Sequence, residues 1–182
     1  RSPMIMAGVR GTVGAEVFIY GPQRDLHSGA FGGVVHNPIH LAGKIIASFH
    51  DDSGRIAIPG FYDDVRSLTP TQRAIVASAE PPLLQRAHEE AGLQHFWGEA
   101  IAPFGVRAMA LPTCDVNGIW GGYQGPGGMT IIPAQAGFKV SMRIVADQHP
   151  QEIMRLFTTH VQSFAVDTLR IEVVGSTANW HA

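Results

Sequence analysis

The sequence predicts an α+β fold of the ferredoxin-like βαββαβ type, in which a four-stranded antiparallel sheet carries two helices on one face. Two segments have the apolar spacing of helices, and four are typical of strands. Once residues 51–111 are set aside as a mainly helical insertion after the first helix, the order is strand, helix, strand, strand, helix, strand. The ferredoxin-like fold is the common small solution to that order.

The first strand and the first helix have the clearest local signals. In RGTVGAEVFIY, residues 10–20, small or polar residues alternate with apolar ones up to Gly21 and Pro22. Asn37 followed by Pro38 predicts a helix N-cap with proline in the first turn. This helix is expected to run to about His50, with an apolar stripe formed by Ile39, Leu41, Ile45, Ile46 and Phe49.

The predicted insertion differs in character from the segments on either side. Residues 51–65, DDSGRIAIPGFYDDV, are rich in turn formers. Residues 69–93 predict a helix in two pieces, broken at Pro81 and Pro82. The short run FGVRAMALP, residues 104–112, is interpreted as a strand.

The second half of the chain returns to the two-residue pattern of strands. TCDVNGIWGGYQG and MTIIPAQAGFKVSMRIVAD, joined by GGYQGPGG, are expected to pair as antiparallel strands. HPQEIMRLFTTHVQSFA, residues 149–165, predicts the second helix, with proline in its first turn. TLRIEVVGS, residues 168–176, predicts the closing strand.

Length, charge and cysteine content limit the class of protein. At 182 residues one domain is expected, and the start at Arg1 rather than methionine suggests a piece of a longer chain. A net charge of −2 with scattered lysine and arginine argues against nucleic acid. No uninterrupted apolar run predicts a membrane span or a signal peptide. The single cysteine, Cys114, excludes a disulfide framework and a cysteine-based zinc site and fits a reducing, cytoplasmic location.

His27 is the first candidate for chemistry. It lies in RDLHSGAFGG, in the loop that must leave the first strand. A histidine in such a loop is commonly a surface or hydrogen-bonding residue. Gly29, Gly32 and Gly33 favour a functional role, because glycines allow positive φ and close backbone approach and so can present the imidazole in a fixed pose.

Two familiar motifs fail when their spacing is tested. AHEEAGLQH begins the H-E-x-x-H zinc pattern at His88, but Gly92 stands where the second histidine is needed and the next histidine is His95. GGYQGPGGMT has no lysine before Thr130 and no helix pattern after it, so it is not a phosphate loop. We interpret it as a hairpin connection that leaves Thr130 at the entrance to a strand.

Arg143 is unusual because it interrupts the apolar run FKVSMRIVA. A guanidinium within a strand costs stability unless it points to water or meets an anion. Two alternatives therefore remain for Arg143: a position at the surface, or a role in binding a carboxylate. Cys114 is interpreted as a small strand residue.

Taken together, RDLHSGAFGGVVHNP, GRIAIPGFYDDV, GGMTIIPAQAGFKVSMRIV and HPQEI resemble the lid, or dimerisation, domain of the M20 family of zinc metallopeptidases. The sequence is similar to the branch that includes the carnosine and cysteinylglycine dipeptidases. The resemblance spans most of the chain in the family's order and implies that residues 1–182 are a single lid domain. It also implies that two zinc ions, held by His, Asp and Glu, lie in a catalytic domain missing from this chain. The fragment alone is then expected to bind no metal and to be inactive.

The resemblance implies roles for three residues. His27 polarises the scissile carbonyl and stabilises the oxyanion, Thr130 contacts substrate, and Arg143 binds the terminal carboxylate of a peptide. His27 and Arg143 are both expected in the partner subunit's active site of a homodimer, which associates through the first helix and an edge strand.

Two alternatives to a dipeptidase lid remain. The lid belongs to an M20 amidohydrolase acting on N-acyl amino acids or longer peptides, or the chain is a stand-alone ferredoxin-like module that binds RNA or a small ligand on its sheet. The second alternative is weaker because Trp120 and Tyr123, the available stacking residues, have little positive charge around them.

Overall fold

The structure is a computed structural model that describes residues 9–98 and 101–178. Two strands are followed by four helices, three strands, a fifth helix and a last strand. The strands are β1 Gly11–Tyr20, β2 Leu26–His27, β3 Thr113–Gly121, β4 Ile131–Ile132, β5 Gln135–Ile144 and β6 Arg170–Ala178. The helices are α1 Ser28–Phe31, α2 Pro38–Ala47, α3 Pro70–Ala91, α4 Phe104–Ala110 and α5 Pro150–Gln162.

The main sheet has four strands in the order β3-β5-β1-β6, and each neighbouring pair is antiparallel. The predicted four-stranded antiparallel sheet and the pairing of the two central segments are therefore confirmed. β3 pairs with β5 throughout, apart from one irregularity between Val116 and Gly118. β4, at the start of the predicted MTIIPAQAGFKVSMRIVAD segment, pairs instead with β2, which the sequence did not predict, in a separate two-stranded ladder.

One face of the sheet forms the core. Alternate residues of β1 are buried, and α2 and α5 bury their apolar residues in the same cluster. Phe49 lies at its centre, with ring centroids 5.8 Å from Phe138 and 5.5 Å from Phe157. The opposite face, which carries Glu16 and Lys139, is open.

The two core helices begin where the sequence predicts. The Asn37 side chain accepts a hydrogen bond of 2.9 Å from the Ile39 N–H, and proline follows in the first turn. α2 ends at Ala47, a few residues before the predicted His50, while Phe49 beyond it remains in the core. α5 also starts with proline, at Pro150.

The prediction of two helical pieces broken at Pro81 and Pro82 is wrong, because α3 is continuous across both prolines. Strong signals bracket it: Thr69 and Gln72 form a capping box, and Gly92 ends the helix at a φ of 66°. Each proline removes one N–H from the helix. Since no residue of α3 is buried, the carbonyl groups left without a donor are accessible to water.

The predicted strand at 104–112 is also wrong, because residues 104–110 form α4. α4 packs against α3, and the buried Gly105 donates its N–H to Glu80 Oε2 at 3.3 Å. Apolar runs this short do not distinguish a strand from a buried helix by periodicity alone. Packing on a neighbouring helix decides the outcome here.

Among the described residues, no helix combines the length and the apolar character that crossing a membrane requires.

Phe49→Ala is expected to lower the free energy of unfolding by about 3–5 kcal/mol, because it removes a fully buried ring and leaves a cavity. Phe31→Ala is the matched control: that ring is 42% exposed, and its loss is expected to cost roughly 0.5 kcal/mol or less. Chemical denaturation of both variants measures the difference. Equal losses would contradict the position of Phe49 in the core.

Candidate functional site

The histidine loop and the segment that carries Thr130, far apart in sequence, meet beside the last residues of β1 and the first residues of β5. Leu26 pairs with Ile132 and His27 with Ile131, and the Ser28 N–H donates to the Thr130 carbonyl at 3.0 Å. The Asp25 carboxylate accepts a hydrogen bond of 2.7 Å from the N–H of Ala134. The histidine loop is thus tied to the segment that carries Thr130. Backbone pairing, rather than a mobile loop, sets the relation between the two side chains.

The hydrogen bonds of His27 determine which ring nitrogen carries the proton. The Gly29 N–H donates to Nδ1 at 3.0 Å, which requires an unprotonated Nδ1. We therefore assign the proton of the neutral ring to Nε2. Nε2 lies 3.0 Å from Thr130 Oγ1, so the imidazole donates to the hydroxyl. His27 is held as a neutral hydrogen-bond donor.

Glycines keep this pose possible. A Cβ on Gly29 would lie 2.6 Å from His27 Cε1, so a larger residue must displace the ring. A Cβ on Gly32 would lie 2.5 Å from the Ser28 carbonyl oxygen, and Gly33 has a φ of 77°. The predicted close approach and positive φ in this loop are confirmed.

His27 and Thr130 are both exposed. Thr130 directly precedes β4, as expected for a residue at a strand entrance. Because the imidazole supplies a proton to Oγ1, the threonine hydroxyl can direct its own proton to another acceptor. The pair therefore offers a donor surface to a molecule outside this chain.

Arg143 occupies the opposite end of the sheet. It is exposed on the open face, and its Nη1 donates to Thr12 Oγ1 on the adjacent strand. Arg10 is close by and donates to the Leu111 carbonyl at 3.1 Å. Burial lowers the pKa of Arg10 most, and the positive charge of Arg143 lowers it further. Asp115 acts on Arg10 in the opposite sense and raises its pKa. Two guanidinium groups and one carboxylate thus meet at this end of the sheet, and the excess of positive charge favours an anion.

The structure brings His27 and Thr130 together but leaves Arg143 apart. Arg143 is near the end of β5, whereas the His27 segment adjoins its start, since the Gly21 N–H bonds the Ala134 carbonyl at 2.8 Å. Gln135 and Arg143 are eight positions apart in one strand, a distance of roughly 26 Å. A dipeptide spans at most roughly 7 Å.

The residues 7–168 match the family described as the peptidase dimerisation domain, in its M20 form. The chain belongs to the M20 peptidase dimerisation domain family. The predicted resemblance is confirmed by this match, which spans the histidine loop, the insertion and the strand that carries Arg143.

Relatives of this M20 dimerisation domain are dipeptidases and a carboxypeptidase. The Cys-Gly metallodipeptidase dug1 of Schizosaccharomyces pombe is 32% identical over 173 residues, which cover 88% of this chain and 34% of that protein. The human Beta-Ala-His dipeptidase is 29% identical over 166 residues, covering 89% and 32%. This chain thus spans about a third of the length of these curated relatives.

Solved structures agree with this family. The M20 family metallo-carboxypeptidase Sso-CP2 from Sulfolobus solfataricus superposes with a TM-score of 0.81 at 31% identity, covering 95% of this chain and 44% of that one. Human carnosine dipeptidase 1 superposes with a TM-score of 0.79 at 26% identity, covering 94% and 38%.

The M20 dimerisation domain contains no group of three His, Cys, Asp or Glu side chains able to hold a metal within residues 9–98 and 101–178. In the segment that resembles a zinc motif, His88 Nδ1 lies 2.6 Å from the Leu93 carbonyl and Glu89 accepts from Gln85 at 3.0 Å. His88 and Glu89 thus form hydrogen bonds with nearby residues of the same segment. Cys114 is a buried residue of β3, as predicted, and burial raises the pKa of its thiol to about 12.

The sequence identified Gly29 as part of the histidine loop but did not identify Asp25 or Arg10 as parts of a site. A short polar side chain before a histidine is a weak signal, because Asp often bonds nearby backbone. Its real partner, Ala134, is 109 positions away. Arg10 could have been found only by aligning β1 with β5, which places Thr12 opposite Arg143.

Proposed function

We propose that residues 1–182, with the insertion at 51–111, form the lid and dimerisation domain of a zinc-dependent M20 dipeptidase. The observation that carries the proposal is the exposed His27 imidazole, held by the Gly29 N–H with its Nε2 at 3.0 Å from Thr130 Oγ1. The described residues do not fit a zinc site, so we assign the two zinc ions to a catalytic domain outside this chain. The strand order supports the ferredoxin-like assignment.

His27 then acts as an oxyanion donor. When a peptide carbonyl is attacked, negative charge develops on its oxygen, and a positioned donor that strengthens at this stage lowers the barrier. The Nε2–H of His27 supplies such a donor once the substrate's carbonyl oxygen replaces Thr130 Oγ1 as its acceptor. Thr130 lies within the same hydrogen bond and is placed to contact the substrate.

The proposed homodimer forms through α2 and the edge strand β3. α2 contacts β5, β1 and β3, so it lies over the side of the sheet that ends at β3. β3 has strand neighbours on one side only and exposes Val116 (36%) and Ile119 (57%). Pairing of two such edges across a twofold axis covers the apolar side chains and extends the sheet.

The proposed roles of His27 and Arg143 belong to different active sites. A separation of roughly 26 Å along β5 exceeds the length of a dipeptide several times over, so one lid cannot place both groups on one small substrate. We therefore revise the expectation that both serve the partner. His27 and Thr130 reach the partner's active site, and Arg143 serves the active site of its own subunit.

Arg143→Gln in the full-length protein is expected to raise KM for dipeptides with a free carboxylate by roughly 10- to 100-fold, because a charge-assisted hydrogen bond is lost. C-terminally amidated dipeptides are expected to be almost unaffected. Arg155→Gln removes an exposed arginine that pairs with Glu152 on α5 and is the matched control. A similar loss for acid and amide substrates would contradict the carboxylate role.

A lid for longer peptides is the second candidate, since a metallo-carboxypeptidase is among the similar structures. N-acyl amino acids also present a free carboxylate to Arg143. Assays of the full-length protein with dipeptides, longer peptides and N-acyl amino acids distinguish the three substrate classes. The stand-alone RNA module is less well supported, because Trp120 packs edge-on against Phe18 at 5.5 Å. The cytoplasmic location stays a prediction.

A further inference from the structure

A groove of about 600 Å³ lies within the insertion and is lined by none of the residues assigned to peptide hydrolysis. One wall comes from α3 and another from α4 and the residues around it. The loop before α3 supplies the remainder. This volume is in the range of pockets that enclose small organic molecules.

The floor of the groove is apolar and its rim is cationic. Apolar side chains dominate the lining, among them Val65, Leu68, Val76, Val106 and Leu111. Among the described residues, three arginines also line it, namely Arg55, Arg66 and Arg73, together with one acidic residue, Glu80. A cationic groove on a chain with a net charge of −2 is a local departure that favours an anionic occupant.

The three arginines differ in their available charge. Arg66 is neutralised by Asp147, which accepts from its Nε at 2.7 Å and from its Nη2 at 2.6 Å. Arg55 stacks over the Tyr62 ring, 3.7 Å from its centroid, so its edge remains open to an acceptor. The Arg73 side chain has no hydrogen-bond or ion-pair partner within the described part of the chain.

Glu80 forms no salt bridge within the described part of the chain, although its negative charge remains in the lining. Its Oε2 accepts from the N–H of Gly105 at 3.3 Å, a contact that joins α3 to α4. An anion in the groove therefore meets Arg55 and Arg73 as its principal partners. Its apolar part meets the aliphatic floor.

From these contacts we infer that the groove binds a small organic anion, a carboxylate attached to an apolar body. The carboxylate accepts hydrogen bonds from the guanidinium of Arg73 and the open edge of Arg55. The apolar body displaces water from the valine and leucine side chains of the floor. Arg55 and Arg73 are not among the residues assigned to peptide hydrolysis, so the inference does not rest on the proposed dipeptidase function. One end of the groove, at Leu111, adjoins Arg10 and through it the Arg143 end of the sheet.

Calorimetric titration of the full-length protein with 2-naphthoate tests the inference, and 2-naphthamide serves as the neutral control ligand. We expect saturable binding of the acid and binding of the amide weaker by roughly tenfold, because a charge-assisted hydrogen bond is missing. Arg73→Gln is expected to weaken binding of the acid by a similar factor and to leave the amide unchanged. Arg86→Gln, on the same helix but outside the groove, is expected to change neither.

A second variant tests the location without removing charge. Ala77 lines the groove from α3 and is exposed, so Ala77→Phe places a ring in the groove without disturbing the core. We expect it to weaken binding of both ligands. Absence of saturable binding to the unmodified protein, equal affinity for acid and amide, or undiminished binding to Arg73→Gln or Ala77→Phe would each overturn the inference.

Discussion

His27→Ala in the full-length protein is expected to lower kcat/KM by about 10²–10³, the usual cost of one oxyanion donor. The side chain is exposed and lies outside the core, so the fold and the metal content are expected to stay intact. Steady-state kinetics with a dipeptide, together with circular dichroism and metal analysis, provides the measurement. The decrease should be found in kcat, because the donor acts mainly when charge develops on the carbonyl oxygen.

His95→Ala is the matched control for this experiment, because it removes an exposed histidine from the insertion. Its turnover is expected to equal that of the unmodified protein. Gly29→Ala provides a graded test, since the new Cβ must displace the His27 ring while leaving its chemistry intact. An intermediate loss of kcat is expected for Gly29→Ala. Unchanged turnover in His27→Ala would contradict the oxyanion role proposed for His27.

The main sheet could be predicted from sequence because its signals are local. β1 buries every second residue, and this alternation is visible in the letters themselves. Asn37 and Pro38 likewise mark the start of α2 without reference to distant residues. The insertion carried conflicting local signals. Pro81 and Pro82 suggested a break, but the capping box at Thr69 and the cap at Gly92 enclose one helix.

The candidate site depends on long-range pairing, and sequence patterns alone could only propose its members one at a time. His27 and Thr130 are 103 positions apart, and their contact exists because β2 pairs with β4. The neighbourhood of Arg143 with Arg10 follows in the same way from the register of β1 and β5. The same register sets the distance between His27 and Arg143. No local sequence motif reveals this distance.

Because of that distance, a mixed dimer is the most discriminating test of which subunit's active site each of the two residues serves. We consider a heterodimer in which one subunit carries His27→Ala and the other carries Arg143→Ala. If His27 acts on the partner and Arg143 on its own subunit, the active site of the His27→Ala subunit receives an intact histidine and keeps its own arginine. The active site of the other subunit lacks both groups.

This heterodimer is therefore expected to recover about half of the unmodified activity, although each parent homodimer is impaired at both sites. Co-expression with two different affinity tags, followed by purification on both, isolates it for assay. Sedimentation must first show a dimer, since a strict monomer at high concentration would remove the trans role of His27 altogether. A heterodimer that carries both changes in one subunit is the matched control. It also distinguishes the proposed arrangement from one in which both residues serve the partner's active site.

If both groups instead served the partner, the outcome would be reversed. In the heterodimer with one change on each subunit, one active site would lack the histidine and the other the arginine, so neither would recover. With both changes on one subunit, only one active site would be damaged and about half of the activity would remain. Under the arrangement supported by the length of β5, the doubly changed subunit instead damages two sites, its own through Arg143 and its partner's through His27.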